Sequence, residues 1–401
     1  MVQAAILGFG TVGSGVAEVL TGHEESICRK ISERIGLKYI LDVRDFPDSP
    51  FADKFVHDFS VIENDPEVDI VVETIGGATV ARDFTIRALK AGKSVVTSNK
   101  ELVAQHGYEL IQLAKENKVS YLFEASVGGG IPIIRPLAQC LAANEILEIC
   151  GILNGTTNYI LTRMIRAGLP FETALKEAQD NGYAERDPSA DIEGHDACRK
   201  ICILAALGFG RHVYPDQVPT EGITKITLAD VDYAADAGCK IKLLGRAVKD
   251  AETGKVRAYV APHLVNGEMP LAGVEDVFNA ITVKGDAIGD VMFYGRGAGK
   301  LPTASAVVAD VIDAAKHINT RKYLEWAQGG DDVVADAAQL SCRWYVRAQA
   351  DAKALPAGKV LARANAEQGE CAVLTEQAMT RAQLEEKLAG VQVLSVLRVL
   401  E

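Results

Sequence analysis

The sequence predicts an α/β protein: a doubly wound parallel sheet at the front, an α+β region behind it, and a small α+β tail. Three observations carry this. Short apolar runs alternate with helical stretches over residues 1–135, the spacing of a parallel sheet covered by helices on both faces. The first run passes through a Gly-x-Gly-x-x-Gly turn directly into a helix. A strand-rich stretch at Lys255–Val283 and a strand–helix–strand–helix–strand order after residue 341 mark the remainder as α+β.

In the first domain, Val2–Leu7 reads as a buried strand, followed by Gly8-Phe9-Gly10-Thr11-Val12-Gly13 and the helix opening at Val16. This is the order of a Rossmann-type dinucleotide fingerprint. Gly8 permits the tight turn, Gly10 lets backbone approach a pyrophosphate, and Gly13 allows the helix to pack against the strand. The helix N-terminus then offers N–H groups to the anion. The strand Lys38–Val43 ends where the ribose is read, with Asp42, Arg44 and Asp45 as candidates. An acid there accepts from a 2′-hydroxyl and an arginine pairs a 2′-phosphate. NAD and NADP both stay open, with Arg44 tilting the balance toward NADP. Val68–Glu73 is the next strand and ends in Thr74-Ile-Gly-Gly77, at the ligand crevice. A helix at Ala81–Ala91, a strand at Ser94–Thr97, a helix at Tyr108–Asn117 and a strand at Val119–Phe123 complete the pattern. Lys100, in the loop after Ser94–Thr97, faces the nicotinamide region of such a fold, as a polarising group or as a surface lysine.

The stretch Gly182–Lys200 carries Glu185, Asp187, Asp191, Glu193, Asp196 and Lys200 and runs into the apolar Ile201–Leu207. Charges beside a buried helix are costly to desolvate unless they meet a partner or ligand. Asp196 and Lys200 are four apart and share a helix face. The competing reading is a salt-bridged helix start, with Asp187 as N-cap before Pro188.

Composition narrows the class. The 401 residues suffice for two or three domains with filled cores. At 48 % apolar and 24 % charged, the chain is ordinary for a soluble globular protein. A net charge of −12 and a pI near 5.2 argue against a nucleic-acid partner or an anionic membrane surface. A strand beginning at residue 2 leaves no room for a signal peptide, and no transmembrane-length apolar span is present. The 8 cysteines show neither Cys-x-x-Cys nor zinc spacing. We expect a reduced, cytoplasmic enzyme.

Five segments, taken in order, resemble homoserine dehydrogenase. They are Ser98-Asn-Lys100, Glu124-Ala-Ser-Val-Gly-Gly-Gly-Ile-Pro132, Ile152-Leu-Asn-Gly-Thr-Thr-Asn-Tyr-Ile-Leu161, Gly182–Lys200 and Gly297-Ala-Gly-Lys-Leu-Pro-Thr. The resemblance runs to about residue 318. It implies nicotinamide-dependent interconversion of L-aspartate 4-semialdehyde and L-homoserine, on the route to threonine, isoleucine and methionine. On the matching positions, Lys100 and Lys200 are the catalytic lysines, Lys100 also lying at the cofactor. Glu185, Asp191 and Asp196 are the substrate acids, with Gly182 lining the same pocket. Glu124 and the carbonyls of Val127, Gly129 and Ile131 match a monovalent cation site, usually sodium, and Gly297 lies near the cofactor. Asn154, Thr156 and Thr157 read as backbone hydrogen-bonders in a strand-to-helix turn, direct ligand contact being secondary.

The expected domains are 1–135 for the dinucleotide, completed by a helix over 302–317, then 136–300 for substrate and dimerisation. A homodimer or dimer-derived tetramer is implied. Residues 317–340 read as a linker with a break at Gly329-Gly-Asp-Asp332. The tail 341–401 looks like a shortened ACT unit, with strands at Arg343–Ala348, Glu370–Thr375 and Val391–Val399 and helices at Gly358–Asn365 and Thr380–Ala389. It is too short for the full set of strands, so threonine as an effector is in doubt. Two alternatives stand beside the enzyme. A dehydrogenase of phosphorylated semialdehydes needs a nucleophilic cysteine, and Cys140 and Cys150 lie in apolar runs without a histidine. A non-catalytic nicotinamide sensor has no use for Glu185, Asp196, Lys100 and Lys200 together.

Overall fold

The computed structural model describes residues 1–320 and 323–401; two positions of the expected linker, 321 and 322, lie outside the described residues. Along the chain come β1 (Val2–Leu7), α1 (Thr11–Gly22), α2 (Glu24–Ile31), β2 (Ile35–Leu41), β3 (Phe55–Val56) and α3 (Phe59–Glu63). They are followed by β4 (Ile70–Glu73), α4 (Thr79–Lys90), β5 (Ser94–Thr97), α5 (Lys100–Glu116) and β6 (Tyr121–Leu122). Next are β7 (Ile146–Ile152), α6 (Gly155–Ala167), α7 (Phe171–Asp180), α8 (Ser189–Ile192), α9 (His195–Phe209) and α10 (Leu228–Asp236). The strands β8 (Cys239–Lys249), β9 (Val256–Asn266), β10 (Phe278–Gly285) and β11 (Gly289–Arg296) precede α11 (Lys300–Lys316). The tail holds β12 (Trp344–Gln349), β13 (Gly358–Leu361), β14 (Glu370–Thr375), α12 (Arg381–Lys387) and β15 (Gln392–Leu400).

Two compact units result. The first comprises Met1–Glu145, Cys202–Pro215 and Gly295–Gly330, the second Ile146–Ile201, Asp216–Tyr294 and Asp331–Glu401. The first unit holds a parallel sheet in the order β3-β2-β1-β4-β5-β6, the doubly wound order whose reversal lies between β1 and β4. The middle strands are uninterrupted apolar runs because both faces are covered: Ile6, Leu7, Ile70, Val71, Val72, Val95 and Val96 are all fully buried. The returning helix α11 packs on α1, where a Cβ on Gly15 would lie 3.0 Å from Lys300.

The second unit carries a mixed sheet in the order β11-β10-β7-β8-β9-β15-β12-β14-β13. The tail strand β15 runs parallel to β9, with Val399 opposite Leu264. The tail therefore continues this sheet instead of standing apart as the sequence suggested. Buried bonds reinforce the join: Arg347 Nε and Tyr345 Oη donate to Asp230 Oδ1 on α10 at 3.0 and 3.1 Å. The chain leaves the first unit between Gly330 and Asp331, inside the break read from Gly329-Gly-Asp-Asp332.

Three sequence expectations need correction. The helix at Gly358–Asn365 is instead β13, paired antiparallel with β14. Gly358 allows the close approach, because a Cβ there would meet Leu374 O at 2.2 Å. The helix expected from Tyr108 begins at Lys100. Gly107 interrupts the pattern in sequence only; its missing Cβ makes room for Trp326, whose Cζ2 would lie 2.7 Å away. Finally, β8 and β11 were absent from the expected strands. Lys240 and Lys242 disguise β8, yet Lys242 is 1 % exposed, its Nζ donating to Asn158 Oδ1 at 3.1 Å and to Val274 O.

Candidate active site

In the first unit the glycine turn does what its spacing requires. Gly8 has φ +90°, a conformation cheap only for glycine. A Cβ on Gly13 would sit 1.9 Å from Gly8 O, whereas one on Gly10 would meet nothing within 4 Å. The turn is thus tight toward the strand and open toward the ligand side. No side chain caps α1 at Gly10, so the N–H groups of Thr11, Val12 and Gly13 remain for an anion. Thr74 fastens the turn: its Oγ1 meets Leu7 O and Gly8 O, both at 2.9 Å.

At the ribose position the two candidate groups are bound to each other. Arg44 Nε donates to Asp42 Oδ1 at 3.0 Å and Nη2 to Oδ2 at 3.1 Å, while Phe9 N–H donates to Oδ2 at 2.7 Å. The Arg44 guanidinium holds the Asp42 carboxyl at about 2, against the cost of burial. Arg44 stacks over Phe46 at 5.0 Å and leaves 61 % of its side chain exposed. The acid is spent and the cation is presented.

Lys100 is the first residue of α5 and is half-buried. Asn99 caps the helix, its Oδ1 accepting Leu102 N–H at 3.1 Å. Glu124 is buried, and its carboxylate takes three amides: Ile133 and Ile134 on Oε1 at 2.6 and 2.8 Å, Arg135 on Oε2 at 2.8 Å. The side chain is therefore engaged in holding Ile133–Arg135, the entry to the helical turn Pro136–Cys140. The nearby glycine turn is packed against Gly297: a Cβ on Gly129 would lie 2.4 Å from Gly297 O, and Gly130 N–H donates to Arg296 O at 3.0 Å. Among the described residues no hydrogen bond ends on the carbonyls of Val127, Gly129 or Ile131.

In the second unit Lys200 is 8 % exposed. Its Nζ donates to Leu153 O and to Asp196 Oδ2, each at 2.7 Å. Asn154 joins the acids, its Nδ2 donating to Asp196 Oδ2 at 2.8 Å and to Asp191 Oδ1 at 2.7 Å. Its Oδ1 accepts Thr157 N–H at 2.9 Å, so the same amide caps α6. Burial, then the neighbouring Asp196 charge, raises the Asp191 carboxyl. The structure thus unites Asp191, Asp196 and Lys200, and adds Asn154 as their bridge. Glu185 and Gly182 lie outside this cluster, exposed on the segment before α8; Gly182 has φ +73°. Asp187 makes the turn into α8, accepting Ser189 N–H at 3.1 Å.

A sheet of this order with this turn binds a dinucleotide. A buried lysine ammonium held by a carboxylate and a carbonyl is a placed N–H donor, a kind of group that can serve a carbonyl substrate. The class these features define is a nicotinamide-dependent oxidoreductase. Family comparison makes it particular. The model "Homoserine dehydrogenase, NAD binding domain" matches residues 8–124 and "Homoserine dehydrogenase" matches 132–312. The chain belongs to the homoserine dehydrogenase family. It is 42 % identical to the homoserine dehydrogenase of Bacillus subtilis over 322 residues, 79 % of this chain and 73 % of that one. A homoserine dehydrogenase structure from Thiobacillus denitrificans superposes with a TM-score of 0.90 at 35 % identity, covering 100 % of this chain and 98 % of its own. A hyperthermophilic archaeal homoserine dehydrogenase in complex with NADPH gives 0.68 at 29 % identity, covering 81 % and 99 %. Of the two cysteines weighed for the phosphorylated-semialdehyde alternative, burial pushes the Cys150 thiol up to about 12 while Cys140 is exposed; the family match decides against that alternative. The sensor alternative finds no support in the comparisons.

Proposed function

We propose that the chain reduces L-aspartate 4-semialdehyde reversibly to L-homoserine, with Lys200 as proton donor and NADP as the preferred cofactor. The observation that carries this is the Asp196–Lys200–Leu153 arrangement. Two acceptors fix Nζ, which leaves a third N–H to meet a substrate oxygen. The bound nicotinamide supplies the hydride. Lys200 stabilises the charge growing on the aldehyde oxygen and passes it a proton. Lys100 is read as the second catalytic lysine, polarising the substrate carbonyl or taking part in proton transfer. Glu185 receives the substrate ammonium, its exposure in the free chain leaving it unspent for that charge. Gly182 lines the pocket, and Asp191 and Asp196 orient the hydroxyl end. An assay of homoserine oxidation, followed by reduced-cofactor absorbance, should show turnover with NADP exceeding that with NAD. No turnover with either cofactor would overturn the reading.

The cation site is read as backbone oxygens of Glu124, Val127, Gly129 and Ile131, because the Glu124 carboxylate is already spent. A small cation, sodium foremost, would tie this turn to the one bearing Gly297. Replacing sodium by tetramethylammonium should slow turnover several-fold. An unchanged rate would leave the turn standing without a cation.

We read the assembly as a homodimer through the second unit's sheet. Its edge hairpin β10–β11 exposes Ile288, Met292 and Tyr294 at 47, 41 and 54 %, apolar area that a partner would cover. Light scattering on the purified chain should give twice the chain mass, and a monomer at micromolar concentration would contradict it. The tail is structural in this reading, so threonine in the assay should leave the rate unchanged. The 8 cysteines form no disulfide among the described residues, which fits a reducing, cytoplasmic setting. No helix among the described residues is long and apolar enough to cross a membrane.

A further inference from the structure

We propose that Glu73 is a positioning residue for Lys100: acting through Thr97 and Asn99, its carboxylate fixes the start of α5, from which Lys100 projects. The inference rests on the reading of Lys100 given above.

Glu73 ends β4, beside the point where the strand order reverses, and is 0 % exposed. Its Oε1 accepts Ile75 N–H and its Oε2 accepts the Thr97 hydroxyl, both at 2.6 Å. Thr97 Oγ1 in turn accepts Asn99 N–H at 2.9 Å. Asn99 Nδ2 closes the ring by donating to Ile75 O at 3.1 Å and to Gly77 O at 2.7 Å. The same Asn99 side chain caps α5 through Leu102 N–H. The residue before Lys100 is therefore held on its backbone by Thr97 and on its side chain by the 75–77 loop. Glu73 is the anchor of both.

A carboxylate is a costly way to fill this place. Glutamine would not satisfy the same two neighbours: with its oxygen on Ile75 N–H, its amide would face Thr97 Oγ1 as a second donor and leave the Thr97 hydroxyl hydrogen without its acceptor. An acceptor on both oxygens is what ties the Ile75 loop to Thr97, and a carboxylate supplies it. Burial raises the Glu73 carboxyl to about 7, against the bonds from Thr97 and Ile75. Tyr121 on β6 is the titratable neighbour, and its phenol is raised by burial and then by this charge. Leu7 on β1, Thr97 on β5 and the buried face of α4 (Ala81, Thr85, Ala88, Leu89) are uncharged. The buried acid of α11, Asp310, is engaged with Glu124 N–H and Arg135.

The test compares Glu73→Gln, Thr97→Val and Lys100→Met with the unaltered chain. Turnover, NADPH dissociation constant and thermal melting are read from pH 5 to 9. Ionising Glu73 costs the folded state, so the contribution of its neutral form is full below 4.5 and lost as pH rises through about 7. Glu73→Gln should therefore lack the loss of melting temperature that the unaltered chain shows as pH rises from about 5 through 7. It should also turn over roughly 10–100-fold more slowly at pH 8, with NADPH affinity within about twofold, the scatter expected where cofactor contacts are untouched. The rise in kcat through pH 7 should vanish. Thr97→Val should be slowed in the same way, which keeps the test open if Glu73→Gln folds poorly. Glu73→Gln or Thr97→Val with unaltered kcat and an unaltered pH rise would overturn the inference alone, provided Lys100→Met is slow. An unimpaired Lys100→Met would overturn the reading of Lys100 itself.

Discussion

Lys200→Met should lower kcat by about 10²–10⁴-fold, the usual worth of a placed proton donor, while NADPH binds as before. The two effects rest on different residues. Lys200 belongs to the second unit, with Asp196, Leu153 and Asn154 around it, whereas the glycine turn and Arg44 belong to the first. The substitution has a second consequence. Removing one member of a buried ion pair strands the other, at a cost of about 3–5 kcal/mol. Asp196 is 5 % exposed and would keep Asn154 as its partner, which softens the loss. Lys200→Met combined with Asp196→Leu should regain much of that stability and none of the turnover. Turnover recovering along with stability would show that Lys200 is a structural residue and would end the proposed mechanism. Stopped-flow hydride transfer and thermal melting on the same three proteins decide it.

The residues legible in the sequence are those whose partners are close along the chain. Gly8, Gly10 and Gly13 declare the turn because each answers a local steric demand. Asp196 and Lys200 declare a shared face because helical periodicity places them together, as the 2.7 Å contact confirms. Asn154 was read as a local capping residue, and it is one. Its other bonds, to Asp191 and Asp196, span 37 and 42 residues, and no local pattern announces them. Its place in an Asn-Gly-Thr-Thr-Asn run next to a strand end was the available signal. At the ribose position the sequence leaves Asp42, Arg44 and Asp45 open; the structure pairs Asp42 with Arg44, two residues on, and with the Phe9 amide, 33 residues back. The same holds for secondary structure. The expected helices begin just after Gly107 and at Gly358, whereas each glycine accommodates a neighbour that arrives from elsewhere in the chain, Trp326 and Leu374.

Arg44→Ala should raise KM for NADP by roughly 10–150-fold, the equivalent of the 1.5–3 kcal/mol carried by a charged hydrogen bond, and barely affect kcat. The direction for NAD is opposite. Asp42 is now held ionised by Arg44 first and by the Phe9 and Arg44 amides after it. Without the guanidinium, the carboxylate loses two of its four donors and becomes an acceptor with capacity to spare. A ribose 2′-hydroxyl is the donor that NAD offers at that position, and a 2′-phosphate is the group it would repel. One substitution thus removes an attraction for NADP and exposes a repulsion against it, which is how specificity is commonly built. The ratio of kcat/KM for the two cofactors should fall below one in Arg44→Ala. Salt offers an independent check, since a phosphate contact in open solvent is screened: the KM for NADP should rise with ionic strength in the unaltered chain and lose most of that dependence in the variant. Equal KM values for NADP in both proteins would place the 2′-phosphate elsewhere and leave Arg44 as no more than the surface partner of Asp42.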